Sequence, residues 1–287
     1  MFLCGGPRDK DPTPLRSVRH MIYNELTSGK HGDVAARLKV AEEIQDWFRD
    51  GKYQDLLTFE EHLAGLSAVI VLVVESAGAI AELGAFSMSE AFLERLLVLV
   101  AEVHYEAESF IRLGPLKRVE NFSDKSVLVY DWHDRDMLGR TTERYEKIDG
   151  QMAEVVEAIK NFTTPSRSER LFKISEPSHL MFLVCDICDM FGALNKTEIK
   201  KYLEDLGVQL SQDVLDRYLF LLEKCDLIRI KALGHGRYYY VTDWVSRISF
   251  GFTPGDHIDR DRVRVDVVSY YESELKSRHE LLRKLGG

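Results

Sequence analysis

The chain has few cysteines and no long apolar run. Four cysteines in 287 residues, mostly inside apolar segments, are too few for a disulfide framework and fit a reducing compartment. No stretch approaches the roughly 18 consecutive apolar residues of a membrane-spanning helix. The short apolar start has no basic region before it, so no signal peptide is expected. These absences exclude disulfide-rich secreted proteins and membrane-spanning proteins, and they predict a cytoplasmic protein without a membrane partner.

Basic residues are also fewer than acidic residues, and the difference lies in the first part of the chain. Residues 1–165 carry 19 Lys and Arg against 28 Asp and Glu, whereas residues 166–287 carry 19 of each, which gives a net charge of -9. The acidic part is not expected to bind nucleic acid by itself, because such binding depends on neutralising phosphates. The neutral part can do so only through a local basic patch.

The most informative segment is the stretch from Ser67 to Ser87. An apolar run, Val69 to Val74, ends at Glu75 and is followed by a short helix-forming segment that contains Glu82. Such a run predicts a strand buried on both faces of a parallel sheet. Ligands of open α/β sheets bind just past the carboxyl ends of these strands. We therefore expect Glu82, about one turn into the helix, to point into a pocket that holds a nucleotide or a sugar.

Further candidate contacts lie at the same predicted edge. The first strand ends at Cys4 and is followed by Gly5 and Gly6, a turn at which a ligand can approach the backbone. As a thiol, Cys4 is interpreted as a small core residue rather than a nucleophile. Glu42 follows a possible strand over Val34–Val40, where it either holds a ribose hydroxyl or starts a surface helix. The start of the helix after the central strand adds three more candidate substrate contacts: Glu75, Ser76 and Gly78.

The remaining pattern predicts two domains. Further strands at RLLVLV and at Lys125–Tyr130, alternating with helices, predict a doubly wound, mostly parallel α/β sheet over residues 1–135. Thr58 and Glu61 form a capping-box pattern that predicts a helix running to Leu66. Residues 136–170 are interpreted as a connecting helix and linker, and residues 171–287 as the second domain.

The second domain has the element order of a winged helix-turn-helix. Its pattern consists of three helices and two strands: Ser178–Met190, Asn195–Leu206, Ser211–Lys224, Leu227–Ala232 and Arg237–Thr242. A charged helical tail, Asp266–Leu285, follows them. Cys185 and Cys188 form a CxxC pair inside an apolar helix without a second pair, which favours core packing over zinc and predicts no metal site.

The predicted wing carries most of the candidate nucleic-acid or partner contacts: Arg229, Lys231, His235 and Arg237. Tyr238, Tyr239 and Tyr240 follow them, and basic residues with aromatic neighbours can grip a nucleic-acid backbone. Strand alternation places at least one of these tyrosines in the core. The third helix offers little positive charge, so sequence-specific control of transcription is not expected.

Three segments carry a family resemblance: FLCGG at 2–6, ESAGAIAELGAFS at 75–87 and SFIRLGPL at 109–116. With them the chain resembles nucleoside 2-deoxyribosyltransferases and, more closely, the deoxyribosyltransferase-like effector proteins of bacterial retrons. Gly78, Glu82 and Gly84 match the Gly-x-x-x-Glu-x-Gly pattern of the transferases. The resemblance implies that Glu82 attacks the anomeric carbon of a nucleoside and releases the base. By register it implies that Glu60 is the second acid.

The resemblance also implies a biological setting. Retron effectors are similar to bacterial toxins that cleave nucleotides or NAD in infected cells, and a reverse transcriptase with its branched RNA–DNA product (msDNA) restrains them. This chain has Ser76 where the transferases have an Asp, and Ala79 where they have Thr, which favours a larger nucleotide. The implied protein is a cytoplasmic bacterial homo-oligomer that takes NAD as substrate and needs no cofactor.

Two other functions stay open. One is a non-enzymatic nucleotide sensor whose winged helix binds DNA. The other is a metabolic nucleoside deoxyribosyltransferase, which Ser76 and the additional domain disfavour. Our leading hypothesis is an antiphage retron effector that acts as a nucleotide N-glycosidase, with Glu82 as nucleophile and Glu60 assisting.

Overall fold

The computed structural model of the protein describes residues 1–6, 17–44, 51–163, 171–234, 236–243, 245–250 and 259–285. The chain forms two compact units. The first comprises residues 1–45 and 63–168, and the second comprises residues 46–62 and 169–287. No helix among the described residues has both the length and the apolar character needed to cross a membrane.

The elements up to the end of the first unit are, in chain order, β1 (Phe2–Gly5), α1 (Val18–Thr27), α2 (Gly32–Ala35), a 3-10 turn (Ala41–Ile44), α3 (Leu56–Leu66), β2 (Ile70–Val74), α4 (Ala77–Ser87), α5 (Glu90–Leu93), β3 (Leu96–Ala101), α6 (Glu102–Tyr105), a π-helical segment (Arg112–Leu116), α7 (Lys117–Phe122), a 3-10 turn (Asp124–Ser126), β4 (Val127–Tyr130), β5 (His133–Arg135), β6 (Thr141–Glu143), α8 (Glu146–Asp149) and α9 (Met152–Thr163). The boundary between the two units falls within α3.

The first unit is built on a parallel sheet with the strand order β1-β2-β3-β4. All residues of β2 and β3 are buried. Because a strand covered on both faces needs apolar side chains at every position, these two segments read as unbroken apolar runs. The predicted parallel α/β organisation and its buried central strands are therefore confirmed.

Lys39 adds a parallel bridge to Phe2 on the other edge of β1. After β1 the chain thus passes first to one side of that strand and then crosses to β2 on the other side. Such a reversal opens a crevice at the carboxyl ends of the two neighbouring strands, where ligands of α/β proteins bind. In this unit the crevice lies where β1 ends at Gly5 and β2 is followed by Glu75.

The strand predicted over Val34–Val40 is wrong, apart from the bridge at Lys39. The segment forms the short helix α2 and a turn instead. Ala35 and Ala36, followed by Arg37 and Leu38, favour helix over strand, since the β-branched residues stand only at the two ends of the segment.

Helices cover both faces of the sheet. Helices α1 and α9 pack on the face that includes Leu3, Val71 and Leu99, where they form one hydrophobic core with it. Successive strand residues point to opposite faces, so Cys4 lies on the face opposite to Leu3. Helix α4 contacts β1 and β2, and its Glu82 makes a hydrogen bond with Cys4. Glu82 is therefore carried by the helix on the second face.

The cap predicted at Thr58 is wrong, because α3 starts two residues earlier. The carboxylate of Asp55 accepts hydrogen bonds from the Thr58 backbone N–H at 2.7 Å and from the Thr58 hydroxyl at 3.0 Å. An acid at the N-cap bonds the N–H three residues later, and these hydrogen bonds hold the pKa of Asp55 below its usual range.

We expect Gly5→Ala to destabilise the protein by about 3 kcal/mol. Gly5 has a φ of +130°, and a Cβ there would lie 2.3 Å from the Val73 carbonyl oxygen in the neighbouring strand. Urea unfolding measures the loss. Gly84→Ala is the matched control, because its Cβ would meet nothing within 4 Å and alanine favours the helix by about 0.5–1 kcal/mol. Equal unfolding midpoints for the two variants would contradict the prediction.

The second unit contains the predicted helices and hairpin in the predicted order. Its elements after residue 169 are α10 (Pro177–Phe191), α11 (Lys196–Asp205), α12 (Gln212–Lys224), β7 (Arg229–Leu233), β8 (Gly236–Tyr240), α13 (Arg260–Glu274) and α14 (Lys276–Leu285). Strands β7 and β8 pair antiparallel, and Leu194 adds a bridge to Tyr239. Ser211 caps α12, since its side chain accepts a hydrogen bond from the Val214 N–H. The tail predicted to be helical starts at Arg260 and is interrupted at Leu275.

Candidate functional site

Two segments of the first unit meet at the carboxyl ends of β1 and β2: the turn after β1, and the residues from Glu75 into α4 after β2. Gly5 and Gly6 end β1, and Glu75 follows β2. Ser76 caps α4 by accepting a hydrogen bond from the Ala79 N–H at 3.1 Å. Glu82 lies in the second turn of the same helix. Because parallel strands end at one edge of a sheet, residues far apart in sequence come together here.

Glu82 is a half-buried acid, and one of its carboxylate oxygens has no hydrogen-bond partner among the described residues. That oxygen, Oε2, is buried, and the carboxylate makes a hydrogen bond with Cys4. Burial raises the pKa of Glu82, whereas the positive charge of Arg19 and the hydrogen bond with Cys4 lower it, and Glu42 raises it further. A buried carboxylate oxygen without a partner is unusual in a protein interior and marks a position where a ligand can bind.

Arg19, which the sequence did not suggest as a site residue, joins the elements around Glu82. Only 3% of the residue is exposed. Its guanidinium donates to the carbonyl oxygens of Leu3 at 3.1 Å and Gly6 at 2.9 Å, and it binds both carboxylate oxygens of Glu42 at 2.6 Å. The sequence contains a pattern that could have placed Arg19 on the buried face of α1. Arg19 lies three residues before Ile22 and seven before Leu26, and residues with this spacing share one face of a helix.

The Glu42 carboxylate already binds another side chain of the protein, Arg19. Its two oxygens form a bidentate pair with Arg19, and the Glu42 side chain is 43% exposed. A fork-to-fork pair of this kind fixes both groups in one plane. The predicted contact of Glu42 with a ribose hydroxyl stays a prediction.

The Glu75 carboxylate binds the N-terminus of α1 through hydrogen bonds. It accepts hydrogen bonds from the N–H groups of Val18 at 2.7 Å and Arg19 at 3.0 Å, while Ser17 accepts the bond of His20. The first N–H groups of α1, which in many nucleotide-binding proteins hold a phosphate, are therefore filled from within the chain. A ligand phosphate has no free N–H group at these three positions.

The two glycines after β1 are required by packing. A Cβ on Gly6 would lie 2.4 Å from the side chain of Glu75, and Gly5 lies against Val73. The tight-turn interpretation of this pair thus holds, and a contact of the same backbone with substrate stays a prediction. Gly78 is exposed in the first turn of α4, and its role in substrate binding likewise stays a prediction.

Stability is expected to fall with rising pH because of Glu75. Burial raises the pKa of its carboxyl from 4.5 to about 7, although the hydrogen bonds from the Arg19 and Val18 N–H groups favour the ionised form and lower the pKa. Between these values the folded chain binds a proton that the unfolded chain has lost, so the stabilising effect disappears as pH rises toward 7. We expect wild type to lose on the order of 1–3 kcal/mol relative to Glu75→Gln between pH 5 and pH 8. Urea unfolding at several pH values measures this, and parallel profiles of the two proteins would contradict it.

Glu60, the predicted second acid, belongs to the second unit. It is 7% exposed on α3. Nearby on the same helix, the ring Nδ1 of His62 lies 3.0 Å from the Tyr53 hydroxyl, and burial lowers the pKa of His62 to about 4. The joint action of Glu60 and Glu82 stays a prediction.

The basic residues of the hairpin face solvent. Arg229, Lys231 and Arg237 are exposed, whereas Tyr239 is buried as strand alternation predicted. His235 lies outside the described residues. The three cations are thus accessible to a partner, although their binding role stays a prediction.

Among the residues that the structure describes, no group of three or more His, Cys, Asp or Glu side chains is arranged to hold a metal ion. The predicted absence of a metal site stays a prediction. Cys185 and Cys188 are free and buried, as core packing predicted, and burial raises the pKa of Cys185 to about 12.

Comparison with known proteins gives this site a family context. Residues 15–230 match the family described as STM3845 retron effector protein. A protein of Escherichia coli named Retron Ec86 putative ribosyltransferase/DNA-binding protein is 35% identical over 130 residues, which cover 45% of this chain and 39% of the relative. Another E. coli protein, named Retron Ec73 putative ribosyltransferase/DNA-binding protein, is 27% identical over 126 residues, which cover 44% and 39%.

The alignments with these two relatives span about two fifths of each relative's length. The family match is broader, since it covers well over half of the chain and includes Glu42, Glu75 and Glu82 as well as the start of the hairpin. It confirms the resemblance to retron effectors that the sequence motifs indicated. The chain belongs to the STM3845 retron effector family.

Proposed function

We propose that the first unit is a nucleotide N-glycosidase, with Glu82 as its nucleophile. The observation that carries this proposal is the buried Oε2 of Glu82, which has no hydrogen-bond partner among the described residues and lies near the Cys4 thiol at the carboxyl ends of the strands. The names of the two E. coli relatives, putative ribosyltransferases, support glycosyl-transfer chemistry.

The proposed reaction has two steps. Glu82 attacks the anomeric carbon, and the bond from that carbon to the base nitrogen breaks, so that the base leaves with the bonding electrons. Water then attacks the same carbon, the ester bond to Glu82 breaks, and the carboxylate is restored with release of a proton. Splitting a displacement in this way lowers each barrier. A second acid, for which Glu60 is our candidate, would protonate a base that leaves as an anion.

NAD is the substrate that we favour. Its nicotinamide leaves as a neutral molecule, so the reaction does not depend on a proton donor near Glu82. Glu75 fills the first N–H groups of α1, so the proposed NAD complex has its diphosphate away from this helix end.

We further propose that the protein is an antiphage effector that acts with a retron reverse transcriptase and its msDNA, as a homo-oligomer. The family match supports the retron setting. Three helices followed by a hairpin, with the Leu194–Tyr239 bridge, support a winged helix in the second unit. The exposed Arg229, Lys231 and Arg237 are its proposed contacts with partner nucleic acid or protein.

The test is base release by the purified full-length chain. The protein is incubated with NAD, and separately with purine and pyrimidine nucleosides and their monophosphates, and the products are separated by chromatography. Release of nicotinamide supports the proposal as stated. Release only from nucleosides keeps the glycosidase and replaces the substrate. Intact substrates together with toxicity on expression would overturn it.

A non-enzymatic nucleotide sensor is the second candidate, because both relatives are also named DNA-binding proteins. It predicts that Glu82→Gln leaves toxicity and DNA binding unchanged. The glycosidase predicts that this variant loses toxicity. Expression of both proteins in the same cells therefore separates the two functions.

A further inference from the structure

Arg19 holds together the chain segment that faces Glu82. Its guanidinium binds the carbonyls of Leu3 and Gly6, which lie on either side of Cys4 and Gly5. Cys4 in turn makes a hydrogen bond with Glu82. A displacement of Arg19 therefore changes the position of the turn and, through Cys4, the surroundings of the carboxylate.

The charges around Glu82 come from three elements. Arg19 on α1 and a hydrogen bond with Cys4 on β1 favour the ionised carboxylate, whereas Glu42 on the 3-10 turn opposes it. Arg19 is bound by both oxygens of Glu42, so the pair stays in one orientation while Glu82 reacts. An arginine fork is suited to this role, since a lysine cannot bind a carboxylate and two carbonyls in one plane.

Arg95 provides an internal comparison within the same unit. Its guanidinium also ties backbone carbonyls, those of Gly65 at 2.9 Å and Ser67 at 3.0 Å. These carbonyls precede β2, at the opposite edge of the sheet from Glu82. Arg95 thus holds backbone segments together without lying near Glu82. It shows what would be expected of Arg19 if its role were purely structural.

We propose that Arg19 is a positioning residue for Glu82: its guanidinium fixes the turn that carries Cys4 and supplies positive charge to the nucleophile. This inference rests on the proposed glycosidase for its effect on the reaction, but not for its effect on Glu82 itself. Arg19 is not expected to touch the substrate.

The experiment follows the titration of the Glu82 carboxyl directly. Infrared difference spectra of the full-length chain are recorded against pH, and the Glu82 band is assigned by its loss in Glu82→Gln. We expect Arg19→Gln to move the titration of Glu82 upward by about one pH unit or more, and Arg95→Gln to leave it unchanged although both variants unfold more readily. An unchanged titration in folded Arg19→Gln would overturn the inference.

Arg19→Lys keeps the positive charge and removes the planar guanidinium. This variant is the second test, and it replaces Arg19→Gln if that variant does not fold. We expect its Glu82 titration to stay near that of wild type while base release falls at least about tenfold. Full activity of this variant would overturn the positioning role. If Glu82 titrates as expected in all variants while wild type releases no base from any substrate, Arg19 keeps its role toward Glu82 and the proposed reaction fails.

Discussion

Glu82→Gln is expected to reduce base release on the order of 10³-fold or more, because the amide cannot form the glycosyl ester. The substitution preserves the size of the side chain and one oxygen that can still make a hydrogen bond with Cys4. The fold is therefore expected to remain intact. The rate of nicotinamide formation from NAD, measured by chromatography at saturating substrate, gives the loss.

The matched control is Glu90→Gln. Glu90 is exposed at the start of α5 in the same unit, so its amide is expected to leave the rate unchanged. Added azide offers a second readout in Glu82→Ala, since a small external anion can take the place of the missing carboxylate and form a glycosyl azide. A Glu82→Gln rate within about tenfold of wild type would show that the carboxylate is not the nucleophile.

Asp186→Ala is expected to destabilise the second unit by about 3–5 kcal/mol. Asp186 lies on α10 and is fully buried. It accepts hydrogen bonds from the backbone N–H groups of Arg247 at 3.1 Å and Ile248 at 2.7 Å, and from the Arg260 guanidinium at 3.0 Å. Removal of the carboxylate leaves two N–H groups and a cation without this acceptor, and that desolvation cost is the source of the large effect.

Asp216→Ala is the control for the loss of a more exposed ion pair. Asp216 lies 2.9 Å from the Lys196 ammonium with 29% of its side chain exposed, and pairs of this kind contribute about 1 kcal/mol or less. Urea unfolding followed by circular dichroism compares the two variants. Equal stability losses would show that the buried pair contributes no more than the exposed one.

Local patterns were sufficient for most of the elements. β2 and β3 were predictable because a strand covered on both faces must be apolar throughout. Ser211 was predictable as a helix cap because its hydroxyl bonds an N–H three residues away. The cap at Asp55 was missed because Thr58 also stands before a helical pattern. Leu56 and Leu57, both exposed, gave no indication of where the helix begins.

The candidate site was predictable only in part. The position of Glu82 after a buried strand followed from the order of residues along the chain, and so did the glycines after β1. The partners of Glu75 did not, since Val18 and Arg19 lie 57 and 56 residues away in sequence. The expectation that Glu75 faces the pocket did not anticipate its role at the start of α1.

The order of residues along the chain was enough to predict the parallel sheet, the helices of the second unit and the placement of Glu82 near a strand end. These features depend on residue spacings of two to four positions, which periodicity and capping rules report. The contact of Arg19 with Glu42 and with the backbone around Cys4, and the place of Glu60 in the second unit, became known from the folded chain. A buried charge takes its partner from whichever strand or helix the sheet order brings beside it, and no local pattern in the sequence records that choice.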